Sequence, residues 1–308
     1  MKYIIGSGLI AFIAKTILPE YEIIPTGKSR YYQFPVATCD DYILCHKDID
    51  DFMKEVVPAQ LIPVFFKRAL SYSGQLIFGN SAGFIDNWLN KVYGQDRNPH
   101  AATLTKLDSF VYSASAIDVF NVVEDRCKKH FREFITSGNK LKSIDTENRV
   151  IHTAQEQIPY DHIINTVPLD TICNICGIEH DLQSKDLHTF VVETEDLDFE
   201  GASELLVVDE NIDFFKCTRV GRQTYQFYST EEIINLPAYL SLIVNNFNVL
   251  SATMVHKALP IGKYDMHKDL EQFGITCVGS NAQWDDMMDV SSCIRRLMRI
   301  SNDRQSQK

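Results

Sequence analysis

The first eleven residues constrain the fold of this chain more than any other segment. They read Met1-Lys-Tyr-Ile-Ile-Gly-Ser-Gly-Leu-Ile-Ala11, so that a short apolar run meets two closely spaced glycines. Tyr3–Ile5 predicts a strand, and Leu9–Leu18 predicts an apolar helix that Pro19 ends. A strand, a glycine turn and a helix in this order are typical of the βαβ unit that opens a dinucleotide-binding fold.

The residues of this turn have separate physical roles in such a unit. Gly6 permits the tight turn, and Gly8 lets a pyrophosphate approach the backbone. The N–H groups at the start of the following helix then face the anion. Ala11 stands where a third glycine is often found, and its small side chain still lets helix and strand pack closely. The predicted cofactor-binding residues of the turn are Gly6, Ser7, Gly8, Leu9 and Ile10.

The composition is that of a globular protein with a substantial core. The chain has 308 residues, of which 45% are hydrophobic and 11% aromatic, and this length suits one large or two modest domains. No apolar run approaches the length of a membrane span, and the N-terminus shows no basic region or cleavage site of a secretion signal. We therefore expect a cytoplasmic protein without a membrane partner, whose cysteines are free thiols. No pair of histidines has metal-ligand spacing, so no metal site is predicted.

The charge of the chain bears on its partners. A net charge of −11 argues against broad, nonspecific binding to nucleic acid, although a local basic groove is compatible with it. A DNA partner is therefore disfavoured and a small-molecule substrate is preferred, while the oligomeric state is left open. The C-terminal segment is locally basic, which is typical of a solvated helix end and tail. Its cations are Arg295, Arg296, Arg299, Arg304 and Lys308.

The order of helices and strands predicts an α/β protein whose nucleotide-binding fold is discontinuous in sequence. After a second strand at Tyr21–Ile24, an inserted block is predicted to be mostly helical, with a hairpin at Ala69–Phe78. The predicted helices after the first cover Asp48–Val57, Phe84–Tyr93, Ala116–Ile135, Glu231–Asn246 and Val290–Ile300. The later strands cover Leu141–Ile144, Arg149–Thr153, His162–Thr166, Thr189–Glu193, Glu204–Val208, Phe214–Val220, Thr224–Tyr228, Thr253–Leu259 and Ile275–Val278.

Besides the N-terminal turn, two segments carry a resemblance to a known group of enzymes. Pro159–Asp170 reads PYDHIINTVPLD, and Gly274–Val290 reads GITCVGSNAQWDDMMDV. The former looks like a strand that ends in Thr-x-Pro beside a cofactor, and the latter looks like a last strand followed by the Asn-Met-Asp stretch that opens a helix. With these segments the chain resembles the FAD-dependent enzymes of the amine oxidase, protoporphyrinogen oxidase and UDP-galactopyranose mutase type.

The resemblance implies a fold, a domain division and a cofactor. The fold would be a discontinuous Rossmann-like FAD-binding domain, formed by residues 1–40, 115–170 and 253–308. Residues 41–114 and 171–252 would form a smaller substrate domain, which combines a helical insertion with an antiparallel sheet. The cofactor would be FAD. Beyond the N-terminal turn, the implied cofactor-binding residues are Thr166, Val167, Pro168, Gly279, Ser280, Met288, Asp289 and Val290.

The implied role of Asp289 and Val290 in binding the flavin has a physical rationale. Asp289 is the predicted N-cap of the final helix, so the N–H groups of Val290 and Ser291 would point outward with the positive end of the helix dipole. The resemblance implies that this helix end faces N1 and the pyrimidine carbonyl of the flavin. There it would stabilise the negative charge of the reduced flavin. An ordinary capping role for Asp289 is compatible with this one.

Two stretches are similar to the mutase branch of the group in particular. Asp213–Val220 looks like that branch's strand with Thr-Arg, and Lys67–Ile77 looks like its early hairpin. The first match implies that Arg219 lies near substrate and flavin, with an exposed strand charge as an equal alternative. Tyr228 and Trp284 are predicted to frame a substrate over the flavin, with plain core aromatics as the alternative. The predicted catalytic residues are thus Arg219, Tyr228 and Trp284.

The chain also departs from the pattern at two places. A dinucleotide binder usually has an acidic residue after its second strand to hold a ribose hydroxyl, but Thr26 and Lys28 stand near that place here. We predict that these two side chains hold the adenosine half of FAD, and NADP with its 2′-phosphate on Lys28 and Arg30 is the alternative. Ser280 stands where the group often has arginine, which leaves the backbone N–H groups of Gly279 and Ser280 for the pyrophosphate.

The function implied by the resemblance is that of a flavoenzyme that oxidises or cleaves a C–N bond of a small amine-bearing or amino-acid-derived substrate. Three alternatives stay open. One is a non-redox flavin mutase acting on a nucleotide sugar, for which the chain looks short. Another is a flavin-dependent oxidase or lyase that tailors an amino-acid-modified base in DNA. The third is a non-catalytic protein on a decayed flavin fold, which the missing ribose acid and Ser280 favour.

Overall fold

A computed structural model describes residues 1–26, 42–45, 49–56, 62–66, 68–73, 75–78, 82–94, 109–115, 119, 121–127, 141–197, 201–219, 223–241, 244–261, 265–283 and 290–305. The strands are β1 (Lys2–Ile5), β2 (Glu22–Ile24), β3 (Tyr42–Cys45), β4 (Ile62–Phe66), β5 (Arg68–Tyr72), β6 (Gln75–Phe78), β7 (Ser109–Ser115), β8 (Leu141–Asp145), β9 (Val150–Thr153), β10 (Gln157–Pro159), β11 (His162–Asn165), β12 (Gln183–Thr194), β13 (Glu204–Val207), β14 (Phe214–Arg219), β15 (Thr224–Ser229), β16 (Phe247–Ile261) and β17 (Ile275–Cys277). The helices are α1 (Leu9–Ile17), α2 (Asp50–Val56), α3 (Ala82–Tyr93), α4 (residues 121–127), α5 (Leu169–Ile175), α6 (Leu236–Leu240), α7 (Met266–Glu271), α8 (Ser280–Gln283) and α9 (Val290–Gln305).

A four-stranded parallel sheet contains strands from both the N-terminal and the C-terminal part of the described chain. Its strand order is β17-β11-β1-β2, and every neighbouring pair runs parallel. From β1 the chain passes through α1 to β2 on one side, whereas β11 lies on the other side of β1. The direction of winding therefore reverses between β1 and β11, and such a switch point leaves a crevice at the carboxyl ends of the two strands.

Helices cover both faces of this sheet. On one face, Phe12 and Ile13 of α1 pack with Ile294 and Leu297 of α9 in a shared apolar core. On the other face, the side chains of Ile5, Ile163 and Cys277 pack against α5 through Leu169, Ile172 and Cys173. Strand residues that are buried on both faces and helices that are apolar on one face give the three-layer α/β arrangement.

A second, seven-stranded sheet has the order β16-β12-β15-β14-β13-β5-β6. Its pairs are antiparallel except for β13 and β5, which run parallel. Trp88, Leu89 and Val92 of α3 pack on one face, while Leu236 and Leu240 of α6 pack on the other. Two small antiparallel sheets, β10-β9-β8 and β3-β7-β4, complete the described strands.

Most predicted elements are present, and their bounds shift by a few residues. The α/β class is confirmed, as are the hairpin of β5 and β6 and the final helix, which runs on to Gln305. Of the predicted helix at Ala116–Ile135, the structure describes residue 119 and residues 121–127, and these are helical. Trp284, Met288, Asp289 and Lys28 lie outside the described residues.

The structure corrects two predictions. The helix predicted at Glu231–Asn246 is limited to Leu236–Leu240, because Pro237 fits only the first turn and Asn235 caps it by accepting from the Ala238 N–H group at 3.3 Å. Among its described residues, the inserted block is not mostly helical, since they also form β3, β4 and β7. Pro63 made β4 hard to recognise in the sequence, and it is tolerated because β4 lies at the edge of its sheet.

No helix in the described part of the chain is long and apolar enough to cross a membrane.

Candidate functional site

The carboxyl edge of the parallel sheet brings distant segments of the chain together. As each strand ends, the next N–H group donates to the last carbonyl of the neighbouring strand. Gly6 donates to Ile24 at 3.1 Å, Thr166 donates to Ile5 at 2.9 Å, and Val278 donates to Asn165 at 2.8 Å. The turns after β1, β11 and β17 therefore lie side by side at the switch point. Thr26, which is half-buried, follows β2 at the same edge.

Gly6 forms the tight turn that the sequence predicts. Its φ angle is +134°, a conformation that residues with a side chain rarely adopt. A Cβ atom at this position would overlap with Oγ1 of Thr166. The Thr166 hydroxyl in turn donates to the Ile5 carbonyl at 2.9 Å. The absence of a side chain at Gly6 thus allows the loop after β11 to pack against the loop after β1.

Gly8 leaves open the start of helix α1. It is exposed, and a Cβ atom there would meet no atom within 4 Å. Gly8 is the N-cap of the helix and, as a glycine, has no side chain that could accept from the helix N–H groups. The first helical bond runs from the Phe12 N–H group to the Gly8 carbonyl at 3.3 Å, so the N–H groups of Leu9 and Ile10 precede the intrahelical bonds. The first turn carries no acidic side chain, and an anion at this end would be stabilised by the helix dipole.

Asn165 holds the second turn in place, a role that the sequence reasoning missed. Its side chain is fully buried. Nδ2 donates to the Val167 carbonyl at 3.0 Å, and Oδ1 accepts from the Val167 N–H group at 3.2 Å. Nδ2 also lies 3.5 Å from Sγ of Cys277, on the neighbouring strand. Asparagine before a turn is a signal for such side-chain to backbone bonds, and this signal was present in the Asn-Thr-Val-Pro sequence.

The buried thiols next to this turn are protonated. Burial raises the pKa of Cys277 to about 12, against the opposing effect of the Asn165 hydrogen bond. Burial also raises the pKa of Cys173 to about 11. Cys173 and Cys176 lie on α5 and at its C-cap, as expected for a helix edge beside the strand. Thiols with such high pKa values act as packing groups at neutral pH.

The turn after β17 continues the edge. Gly279 leads into α8, where its carbonyl accepts from the Gln283 N–H group at 2.9 Å. The backbone of Ser280 begins α8. Helix α9 begins at Val290, which is half-buried, and its first turn contains no acidic residue. Since α9 packs against α1 through the shared core, two helices without acidic first turns lie on the same face of the sheet.

The predicted catalytic residues of the second sheet are not brought together. Arg219 is exposed at the end of β14, and its N–H group donates to the Ser203 carbonyl at 2.9 Å. Tyr228 is 1% exposed and packs in the apolar core beneath α3. Arg219 pairs with Tyr225, and Tyr228 pairs with Lys216. Because Arg219 and Lys216 are three residues apart on one strand, Arg219 and Tyr228 project from opposite faces of the sheet.

Tyr228 instead contacts a buried ion pair. Nζ of Lys216 lies 4.9 Å from the centre of the Tyr228 ring and 2.9 Å from Oε2 of Glu204. The side chains of Lys216 and Glu204 are 16% and 5% exposed. A cation held between a carboxylate and an aromatic face connects β13, β14 and β15 through their side chains at this point.

Comparison with known proteins gives a likeness in fold. A scan against protein-family models gives no match, and a search of curated proteins gives none. Reduced UDP-galactopyranose mutase is similar with a TM-score of 0.69 and 11% identity, covering 100% of this chain and 94% of that one. An oxidoreductase from Methanosarcina mazei has a TM-score of 0.64 and 12% identity, covering 98% and 100% of the two chains. Cyclohexylamine oxidase from Brevibacterium oxydans has a TM-score of 0.60 and 9% identity, covering 100% and 99%.

At these identities the likeness concerns the fold alone. It agrees with the parallel sheet, the glycine turn at its switch point and the second antiparallel sheet described above. The resemblance predicted from short motifs is confirmed at the level of the fold, because the chain has the fold of a UDP-galactopyranose mutase and of a cyclohexylamine oxidase.

Proposed function

We propose that this protein is an FAD-dependent flavoenzyme. The observation that carries the proposal is the open, uncapped start of α1 at Gly8, which lies at the switch point of the parallel sheet. A pyrophosphate fits there because the exposed glycine leaves room and the first N–H groups of the helix have no intrahelical acceptor. The residues proposed to hold the pyrophosphate are Gly6, Ser7, Gly8, Leu9 and Ile10.

The remaining parts of FAD are assigned along the same edge. The Thr26 hydroxyl replaces the usual acidic residue toward the adenosine, since no carboxylate follows β2 among residues 25 and 26. The flavin end is assigned to the turn of Thr166–Pro168, to Gly279 and Ser280, and to the start of α9 at Val290. We retain the proposed division into a cofactor domain (residues 1–40, 115–170 and 253–308) and a substrate domain (residues 41–114 and 171–252).

The proposed chemistry is oxidation or cleavage of a C–N bond in a small amine-bearing or amino-acid-derived substrate. When bound, FAD supplies the acceptor for a hydride from the carbon next to nitrogen. The chain's own part is to hold the cofactor rigidly and to orient the substrate. Asn165 and Thr166 fix the turn beside the cofactor through their bonds to Val167 and Ile5. A rigid turn at this place excludes water from one side of the reacting groups.

A substitution at Gly8 tests the cofactor site without disturbing the fold. Gly8→Asp places a carboxylate where the pyrophosphate is proposed, and its Cβ atom meets no atom within 4 Å. Aspartate is also a favourable N-cap, so the free energy of unfolding should stay the same or rise. We expect the affinity for FAD, measured by quenching of flavin fluorescence, to fall on the order of 100-fold through charge repulsion.

Gly83→Asp is the matched control. Gly83 is exposed near the start of α3, and a Cβ atom there also meets no atom within 4 Å. It receives the same charge at a helix start in another part of the molecule, so flavin binding should not change. A wild-type protein that is colourless as purified and takes up no added FAD would overturn the proposal in favour of a decayed flavin fold.

A non-redox mutase acting on a nucleotide sugar is the second candidate. The two stretches that are similar to the mutase branch lie close together, because β13 is hydrogen-bonded to β14 on one side and to β5 on the other. Chain length does not weigh against this candidate, since the chain covers 94% of the mutase structure. Anaerobic mixing of protein and substrate distinguishes the two functions. An amine substrate would reduce the flavin and remove its visible absorbance. A mutase substrate would be isomerised by the reduced protein without net oxidation of the flavin.

Two further alternatives from the sequence have direct tests. Tailoring of an amino-acid-modified base requires binding to DNA, which a fluorescence-anisotropy titration with duplex oligonucleotide at physiological salt would detect. NADP in place of FAD would give a protein without flavin absorbance whose unfolding temperature rises with NADP. Either result would replace the proposed function.

A further inference from the structure

Exposed apolar side chains are concentrated on β16, which lies at one edge of the seven-stranded sheet. Five large hydrophobic side chains are exposed in the described part of the chain, and two of them, Leu250 and Met254, belong to this strand. Leu250 is 51% exposed and Met254 is 42% exposed. Ala252 lies between them and is exposed as well. We call these three residues the β16 patch.

The register of the sheet explains why the β16 patch is uncovered. Ala252 lies opposite Phe190 of β12, and Met254 lies opposite His188. Residues that lie opposite each other in an antiparallel pair project from the same face of the sheet. Phe190 packs in the apolar core beneath α6, so Ala252 and Met254 lie on the same face as this helix. Helix α6 covers the centre of the face at Phe190 and leaves these side chains of the edge strand exposed.

The free edge of β16 beside the patch can pair with another strand. Residues 251–255 pair with β12 residue by residue, between a bulge at Leu250 and a second irregularity after Val255. On its other side, β16 has no neighbour among the described strands. An open edge presents N–H and carbonyl groups at the spacing of a strand, and a strand from another molecule can satisfy these groups.

The charge of this region favours a second copy of the chain as the partner. Residues 236–255, which form α6 and much of β16, contain no charged side chain, although 23% of the residues of the chain are charged. Proteins often place lysine or another charge on an edge strand to prevent pairing, and residues 251–255 have none. Two copies that each carry a net charge of −11 meet with least repulsion through an uncharged surface.

We propose that the protein forms a homodimer in which the β16 patches of two copies meet across a two-fold axis. An axis at Thr253, the centre of residues 251–255, places the two strands antiparallel. Ala252 of one copy then lies opposite Met254 of the other, so that a small side chain meets a large one. Hydrogen bonds between the two edge strands join the two seven-stranded sheets into one, and Leu250 and Met254 lose contact with water.

Sedimentation velocity tests the oligomeric state. The wild type should pass from monomer to dimer as its concentration rises from about 1 to about 100 µM, a range that suits an interface of modest area. Met254→Glu places a carboxylate of each copy beside the axis, where the two like charges would be desolvated together. Met254 is exposed in the single chain, so the fold should be unaffected. We expect the dissociation constant of the dimer to rise at least about tenfold.

Tyr72→Glu is the matched control. Tyr72 is also 42% exposed, and it lies on β5 of the same sheet, away from the β16 edge. The substitution adds the same charge at another exposed large side chain, so the dissociation constant of the dimer should stay the same. Circular dichroism and thermal unfolding of both variants establish that the fold is intact.

Two further measurements locate the interface. Amide hydrogen exchange of residues 251–255 should slow as the protein concentration rises, because groups at the free edge become hydrogen-bonded in the dimer. Higher salt should leave the dimer unchanged or stabilise it, since salt screens the repulsion between the two net charges and the interface contains no ion pair that it could weaken.

Five outcomes would overturn the proposal. The first is a wild type that stays monomeric at about 100 µM, and the second is a dimer that Met254→Glu weakens no more than Tyr72→Glu does. The third is a dimer in which the exchange of residues 251–255 does not depend on protein concentration. The fourth is dissociation of the dimer at higher salt. The fifth is assembly beyond the dimer, which would indicate a head-to-tail contact instead of a two-fold axis.

Discussion

A Cβ atom on Gly6 would overlap with the Thr166 hydroxyl, although the two residues are far apart in sequence. Gly6→Ala should therefore destabilise the protein in two ways, through its φ angle of +134° and through this overlap. We expect a loss of about 3 kcal/mol in the free energy of unfolding, measured by urea denaturation. The turn that holds the proposed cofactor would shift, so FAD affinity should fall as well.

Gly177→Ala measures the cost of a positive φ angle without an overlap. Gly177 has a φ angle of +66°, and a Cβ atom there meets no atom within 4 Å. This control should cost only about 1 kcal/mol, from strain alone. Equal losses in the two alanine variants would show that the contact with Thr166 is not what requires glycine at position 6.

Removal of the Asn165 side chain should loosen the turn at Thr166–Pro168. Asn165→Ala leaves the buried N–H and carbonyl groups of Val167 without their partners, and this should cost about 2 kcal/mol of unfolding free energy. We also expect a weaker affinity for FAD in a fluorescence titration. Asn248→Ala, at an exposed strand position, is the control and should change neither quantity.

The elements that the sequence predicted well are those set by local chemistry. Apolar Tyr3–Ile5, the glycines at 6 and 8, and Pro19 define a strand, a turn and a helix without reference to the rest of the chain. A local signal was also present where the predicted length of a helix was wrong. Pro237 limits the helix to its vicinity, and weighting it more heavily would have shortened the predicted segment.

The parts that could not be predicted depend on pairing between distant segments. The sequence pattern places both Arg219 and Tyr228 on strands. Only the register of β14 against β15 shows that they lie on opposite faces of the sheet. The contact of Asn165 with Cys277 requires β17, which begins 110 residues later in the chain. A single sequence contains no measure of such long-range contacts, so the arrangement of these side chains could not be predicted from it.

His162 should make the stability of the protein depend on pH in the acidic range. Its Nδ1 lies 3.0 Å from the Tyr21 hydroxyl and its Nε2 lies 3.0 Å from the Thr276 hydroxyl, which satisfies both nitrogens of a neutral ring. Burial, with a smaller effect of the Lys2 charge, lowers the pKa of His162 to about 4 from its ordinary value of 6.5. The unfolded chain therefore binds a proton between these values while the folded protein does not, and stability falls as the pH drops from 6.5 toward 4.

His162→Gln removes this titration while keeping groups that form hydrogen bonds. Between pH 7.5 and pH 5, the wild type should lose about 2 kcal/mol of unfolding free energy relative to the variant. Urea denaturation at both pH values measures the difference. Parallel pH profiles of the two proteins would contradict a neutral, buried His162.

Lys91 should make the stability of the protein depend on pH in the alkaline range. Its Nζ donates to three carbonyls, at 3.1 Å to Val207, 2.6 Å to Asp209 and 2.7 Å to Phe214. Burial lowers the pKa of Lys91 to about 8 from 10.5, against the opposing effect of nearby carboxylates, of which Asp209 has the largest. Because the folded protein releases this proton before the unfolded chain does, the Lys91 contribution to stability rises as the pH increases from 8 to 10.5.

Lys91→Met should therefore destabilise the protein by an amount that grows with pH. At pH 7.5 the loss of three hydrogen bonds should cost about 3 kcal/mol, and the difference from wild type should widen by about 1.5 kcal/mol or more at pH 9.5. Lys142→Met, at an exposed position of β8, is the control and should show a small effect. A difference that narrows with rising pH would mean that the folded state favours the charged ammonium, and that the three carbonyls outweigh the cost of burying it.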